Sequence, residues 1–341
     1  MTTTKKPRKA NKRLSELLLT KNTWCDYADE RLAPKYLVYR FDDKKGNRFY
    51  YFKYNEEWVI AAGVTTVFGL VSTERERINQ WKNDHADWRH LLDISSEYGT
   101  MSHIEKSNIM FGKGVDLEML EKMTKLSVDN GGGFNTPTKD MLAFMKFQED
   151  YSLIPLLIEA MLVWQDTESG EWLAMTIDLL AKMTVTIKTK TTVEDGVYQR
   201  GDKKGEIKMK DVTTETKEDK VLLIDFKSNF FEKDKKSFFE VNKMQLMAGK
   251  LAVEQNFEIK VDDVYNFAEN SWRTEPSYTF SKWTLDDSDW KVFWAYWNLA
   301  KAKGLNKPQG NMLVTEGFKD SKDFRFLSYK EYVEQILTKQ E

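Results

Sequence analysis

Cysteine is almost missing from this 341-residue chain, with Cys25 the single one. That excludes an internal disulfide framework and a cysteine-ligated iron–sulfur cluster, and it points to a reducing compartment. Proline and glycine are sparse, at 6 and 17 residues, while 41% of the chain is hydrophobic and 31% charged. This is the composition of a folded chain that can bury a core. No apolar run approaches the length of a membrane span. No apolar segment follows the basic N-terminus, so a secretory signal is not expected, and the expected location is intracellular and cytoplasmic. Excess charge of either sign is also lacking. At a net charge of −2, any grip on a polyanion has to come from local patches.

One such patch is present. Residues 1–14 carry Lys5, Lys6, Arg8, Lys9, Lys12 and Arg13 with no acidic residue among them. This is a basic, flexible arm suited to loosely placed contacts with a phosphate backbone, or a merely solvated tail. The remainder, 15–341, is expected to be a single domain. Aromatic-rich Tyr36–Phe41 and Arg48–Tyr54 flank a polar turn and predict a β-hairpin. Thr73 and Glu76 form a capping box that opens a helix. His85 and His90 lie in or just past it on different faces, as surface residues and not a metal pair. Further helices are expected over 94–110, 116–126, from Thr136–Pro137 to about 151, 241–257 and 288–303, with a last one opened by Ser328 and Glu331. Asn130–Gly133 is a connector. The stripe of Trp290, Phe293, Trp294 and Trp297 at helical spacing reads as core and not as a base-stacking platform.

The chemistry gathers on the strands. Val221–Ile224 runs apolar into Asp225-Phe226-Lys227, as a buried central strand does. Strand side chains alternate, so Asp225 and Lys227 share a face. Upstream, Ile154–Trp164 and Trp172–Met183 are two apolar strands around a polar turn at 166–170. Each carries a carboxylate in its interior, Glu159 in the first and Asp178 in the second. A buried carboxylate is costly unless it is paired or holds a cation. The charged, Thr- and Val-rich stretch at about 185–220 is expected to be a solvated β-arm inserted into the core. Gly99, inside the 94–110 helix, suggests close approach of another backbone or a ligand.

In order, His103, Glu159, Asp178, Asp225, Lys227 and Gln245 resemble the PD-(D/E)XK nuclease superfamily, and within it the RecB-like exonuclease branch that includes bacteriophage exonucleases. Gly99–His103 matches the branch's Gly-x-x-x-His helix. Glu159 matches its glutamate strand, Thr176-Ile177-Asp178-Leu179-Leu180 its hairpin aspartate, Asp225-Phe226-Lys227 its Asp-x-Lys strand and Gln245 its glutamine helix. Val64-Thr65-Thr66-Val67, followed by a helix bearing Trp81, looks like the branch's opening segment. The resemblance covers roughly residues 36–265. Two positions depart from it. The family often has glycine where this chain has Met175 and tyrosine where it has Gly249.

The resemblance implies an α/β fold, a central mixed β-sheet flanked by helices with a restriction-endonuclease-like core, here with an N-terminal β-hairpin and the inserted β-arm. It implies metal-dependent hydrolysis of DNA, exonucleolytic, in recombination, repair or replication. His103, Asp178, Asp225 and the Phe226 carbonyl would hold Mg²⁺ or Mn²⁺, and no iron–sulfur cluster is implied. Lys227 would act on the attacking water or the developing charge, Glu159 would hold a water or second ion, and Gln245 would orient Lys227 or the phosphate. DNA is the implied partner, with a single-strand annealing or replication protein beside it. If the chain is phage-encoded, its place would be the host cytoplasm. A catalytically silent DNA-binding scaffold and a structure-specific endonuclease are the alternatives.

Overall fold

Apolar strands and amphipathic helices alternate through the middle of the chain, and the fold follows from how each hides its apolar side. In the computed structural model the described residues are 35–36, 38–42, 47–55, 57–71, 74–129, 136–228, 238–257 and 259–308. The basic arm, Cys25, the 130–133 connector, the polar turn of the first hairpin, the capping threonine at 73 and the expected helix at Ser328 lie outside them. Eight strands form one open, mixed sheet flanked by helices, an α/β fold.

The strands are β1 (Val38–Asp42), β2 (Arg48–Tyr54), β3 (Glu57–Gly63), β4 (Ile154–Gln165), β5 (Trp172–Val197), β6 (Ile207–Phe226), β7 (Asp263–Glu269) and β8 (Tyr278–Trp283). The helices are α1 (Val64–Val71), α2 (Glu74–Asp84), α3 (Trp88–Met110), α4 (Leu117–Asp129), α5 (Pro137–Tyr151), α6 (Glu240–Asn256) and α7 (Asp287–Ala302). β1 and β2 form the expected hairpin, and β3 adds to it antiparallel. β4, β5 and β6 are antiparallel neighbours. α6 then carries the chain over to β7, which lies parallel to β6, and β8 turns back antiparallel.

One face of the sheet packs against α1, α6 and α7 in the main core, where Phe68, Met247, Phe293 and Trp297 are buried. The tryptophan-bearing helix therefore serves as core, as its spacing predicts. The other face packs against α5 through Phe144 and Phe147, with the end of α3 alongside. Thr136 caps α5 by accepting from the Lys139 amide, with Pro137 in the first turn.

One expectation changes. α3 begins at Trp88, six residues before the apolar periodicity starts, because its first turns are solvated. The charged stretch is a solvated β-arm, the outward continuation of β5 and β6, paired from Thr184–Asp219 to Val197–Ile207 and exposed almost throughout.

Candidate metal centre

The site grows out of a break in the sheet's alternation. On β4, Leu157 packs on the main-core face, yet beyond Glu159 that face belongs to Ala160, Leu162 and Trp164. β5 makes the same switch. Leu173, Met175 and Ile177 share the main-core face with Leu180, while Leu179 and Ala181 turn to the other face. The switch points are Glu159 and Asp178, and the flanking pairs Ile158–Leu179 and Ala160–Ile177 set those two residues opposite each other. Glu159 makes its turn with φ of 50°, in the left-handed region. For a non-glycine residue this costs about 1–3 kcal/mol and persists only where the surroundings impose it.

The same row continues across the sheet. The β5–β6 register ends at Leu179–Ile224, and one step further Asp178 stands beside Asp225. There the ladder is replaced by a side chain, as the Phe226 amide donates to Asp178 Oδ2 at 2.6 Å. Asp225 in turn pairs with Asn266 on β7. Three carboxylates thus lie side by side on adjacent strands, with Asn266 closing the row.

α3 lays His103 over this row. Its Nδ1 lies 2.8 Å from Glu159 Oε1 and 3.7 Å from Asp178 Oδ1. One ligand atom from each of His103, Glu159 and Asp178 falls within 4.8 Å of the others. Among the described residues, a Cβ at Gly99 would meet only the Ser228 Oγ, at 3.4 Å, an ordinary contact, so no close approach of another backbone calls for the glycine.

Beside the triad, Asp225 and Lys227 share a face as the alternation predicts. Lys227 Nζ donates to Asp225 Oδ1 and to Gln245 Oε1, both at 2.8 Å. Asn266 Nδ2 donates to Asp225 Oδ2 at 2.5 Å, and Trp283 holds Asn266 from behind. Both oxygens of Asp225 are therefore engaged, and the triad open to a cation is His103, Glu159 and Asp178. Phe226 meets the site through its amide, and its buried ring lies edge-on to His103 at 5.9 Å between centroids.

Crowding shows in the protonation. Burial pushes the Asp178 carboxyl up to about 7, against the pull of His103, and the neighbouring Asp225 and Glu159 charges add to the push. His103 is also raised. Burial works against its charge, but the Asp178 and Glu159 carboxylates outweigh that. A buried group of carboxylates that holds a proton near neutrality is one whose charge awaits compensation.

All the residues singled out in the sequence from His103 to Gln245 come together here. His85 stacks on Trp81 and His90 is exposed, so neither belongs to it. Three functional-site neighbours escape the sequence reading. Asn266 breaks an apolar strand just as Glu159 and Asp178 do, and that same signal finds it. Lys106, one turn past His103, and Glu269, at the end of β7, form a fully buried pair at 2.6 Å. Lys106 is further enclosed by the rings of Phe226, Phe267 and Phe144. Nothing in the sequence separates those two from surface charges. Among the described residues, no helix is long and apolar enough to cross a membrane. No protein-family model matches the chain, and neither does any curated protein.

Proposed function

We propose that this chain is a divalent-metal-dependent DNA nuclease, acting as an exonuclease on a restriction-endonuclease-like core made of β4 to β8 and α6. The observation that carries the proposal is the cross-strand row of Glu159, Asp178 and Asp225 with His103 above it and Lys227 beside it. Three antiparallel strands, a crossover helix and a parallel fourth strand, with the Asp-x-Lys triplet at the end of the third, support the fold assignment. The two departures from the family pattern leave the metal site untouched. A Cβ on Gly249 would meet Leu223 Cδ2 at 2.7 Å, so the glycine lets α6 pack closely on β6, and the substrate-side role of the family's tyrosine is not carried over.

The donor set fits the ion. Two carboxylates and one imidazole within 4.8 Å suit a hard, oxygen-preferring cation and tolerate Mn²⁺ well, whereas Zn²⁺ favours nitrogen and sulfur. His103, Glu159 and Asp178 would hold it, with Asp225 at the margin. Bound there, the ion would supply neutralising charge to a scissile phosphodiester.

The protein's own part is positioning and proton control. Of the three Lys227 donors, Asp225 and Gln245 take two, leaving one to orient a water or a phosphoryl oxygen. Gln245 fixes the ammonium and Asn266 fixes Asp225, so the donor is already in place when charge develops. Asp178 and His103 lie in contact, and both are raised from their ordinary values, so the ion-free site holds protons that a bound cation would displace.

End-labelled linear DNA and covalently closed circular DNA, incubated with Mg²⁺ or Mn²⁺ and with chelator, test the proposal. Ion-dependent loss of the linear form with the circle spared is expected. Cleavage of both would replace exonuclease with endonuclease, and full activity in chelator, or none with either ion, would overturn the assignment.

A further inference from the structure

The arm of β5 and β6 stands away from the body for roughly 45 Å, and an isolated two-stranded ribbon is marginal in water. Its two faces differ. Residues opposite one another share a face, so Lys190, Asp211, Glu215, Lys217 and Asp219 lie on one side. The other side, between the pairs Val185–Glu218 and Val193–Lys210, carries Thr189, Thr191, Val212, Thr214 and Thr216. Along that register its only charges are Glu218 at the base and Lys210 toward the tip. Positive and negative residues nearly balance over the whole arm, which gives a polyanion little to hold.

We propose that this β-branched face stacks on the same face of a second copy of the chain, antiparallel, about the Thr189–Thr214 pair. The pattern is self-complementary about that point. Glu218 and Lys210 are each four residues from Thr214, so a two-fold axis there sets Glu218 of each copy over Lys210 of the other. Val185 and Val193 are each four residues from Thr189 and meet in the same way. Two ribbons stacked face to face form a small sandwich, which supplies the layer that one ribbon lacks. Of the exposed apolar residues near the tip, Val197 and Ile207 continue the charged side by the same alternation and lie outside the stacked face.

Sedimentation equilibrium of the full chain across a concentration series tests this independently of the activity proposed above. Wild type is expected to dimerise. Glu218→Lys sets lysine against lysine twice and is expected to weaken the dimer about tenfold or more. Adding Lys210→Glu to it reverses both charges and is expected to restore dimerisation. Both positions are exposed, and recovery in the double variant separates the interface from any damage to folding. A monomeric wild type, a dimer indifferent to Glu218→Lys or a double variant that stays weakened would each overturn the proposal. So would a change in DNA affinity with no change in mass, which would assign the arm to nucleic acid.

Discussion

The base and the arm of the β5–β6 hairpin are the same two strands in two solvents. At the base, Leu180, Leu222, Leu223 and Ile224 are buried from both faces. A few residues further out, Thr, Lys and Glu side chains stand in water. Carboxylates occur at both ends and behave differently. Asp211 and Asp219 on the arm accept from the facing threonines Thr192 and Thr184 and stay solvated. Asp178, at the base, is crowded by Glu159 and Asp225 away from water, and its proton is held up to about 7. The strand supplies the geometry in both places, and burial decides which carboxylate holds its proton.

The sharpest test of that difference is loss of activity. Asp225→Ala and Lys227→Ala are expected to lower cleavage by about 10²–10³-fold or more, while Asp211→Ala on the arm leaves it within experimental error. Circular dichroism should show all three folded, since Leu222–Ile224 and not the polar pair fill the core. Near-normal turnover in either site variant would remove the Asp-x-Lys pair from the chemistry.

Stability should divide along the same line. Leu180→Ala opens a cavity at a fully buried position and is expected to cost about 2–5 kcal/mol in denaturant unfolding. Val212→Ala, exposed on the arm of the single chain, should fall within about 0.5 kcal/mol when measured below the dimer transition. A loss seen only above the transition is what the stacked face predicts, and a comparable loss below it would mean that the arm packs against its own chain.

Residue pattern makes the base legible from sequence and leaves other parts dark. An apolar strand interrupted by one carboxylate can be read directly, and it locates Glu159, Asp178 and Asp225. The arm's solvated character is legible too, from alternating charge with Thr and Val. The paired change of face at Glu159 and Asp178 is not, because a shift in alternation is a property of two strands together. The Lys106–Glu269 pair is hidden for a similar reason. Its partners are far apart in sequence, and only the three phenylalanine rings around Lys106 distinguish it from an ordinary helical lysine. β8, short and half-exposed, gives too weak a pattern to be expected at all.

Protonation provides a smaller effect. Asp178 is raised above its unfolded value, as is His103, so the ion-free protein takes up protons on folding. That stability is fully present below the unfolded carboxyl value, and it is lost as pH rises toward and through about 7. A divalent ion must displace protons from both Asp178 and His103. Its affinity, measured by calorimetry, should therefore fall by about tenfold or more per pH unit below that point. Asp178→Asn should make the slope shallower. His103→Ala should weaken binding so that activity partly recovers at higher ion concentration, whereas a purely structural histidine would change thermal stability alone.

The smallest expected effect has the most informative sign. Glu159 holds φ of 50° inside a strand, and it brings a second negative charge against Asp178. Glycine adopts that backbone without strain. Glu159→Gly removes both the strain and the repulsion, and it loses the hydrogen bond to His103. The first two gains are expected to win in the ion-free protein, raising stability by about 1 kcal/mol, while ion affinity and cleavage fall. Glu159→Gln keeps the strain and removes the charge, so it should recover less stability than glycine does. If instead Glu159→Gly destabilises the ion-free protein and spares ion binding, the residue holds the sheet together, and the change of face at this row serves packing and not the metal centre.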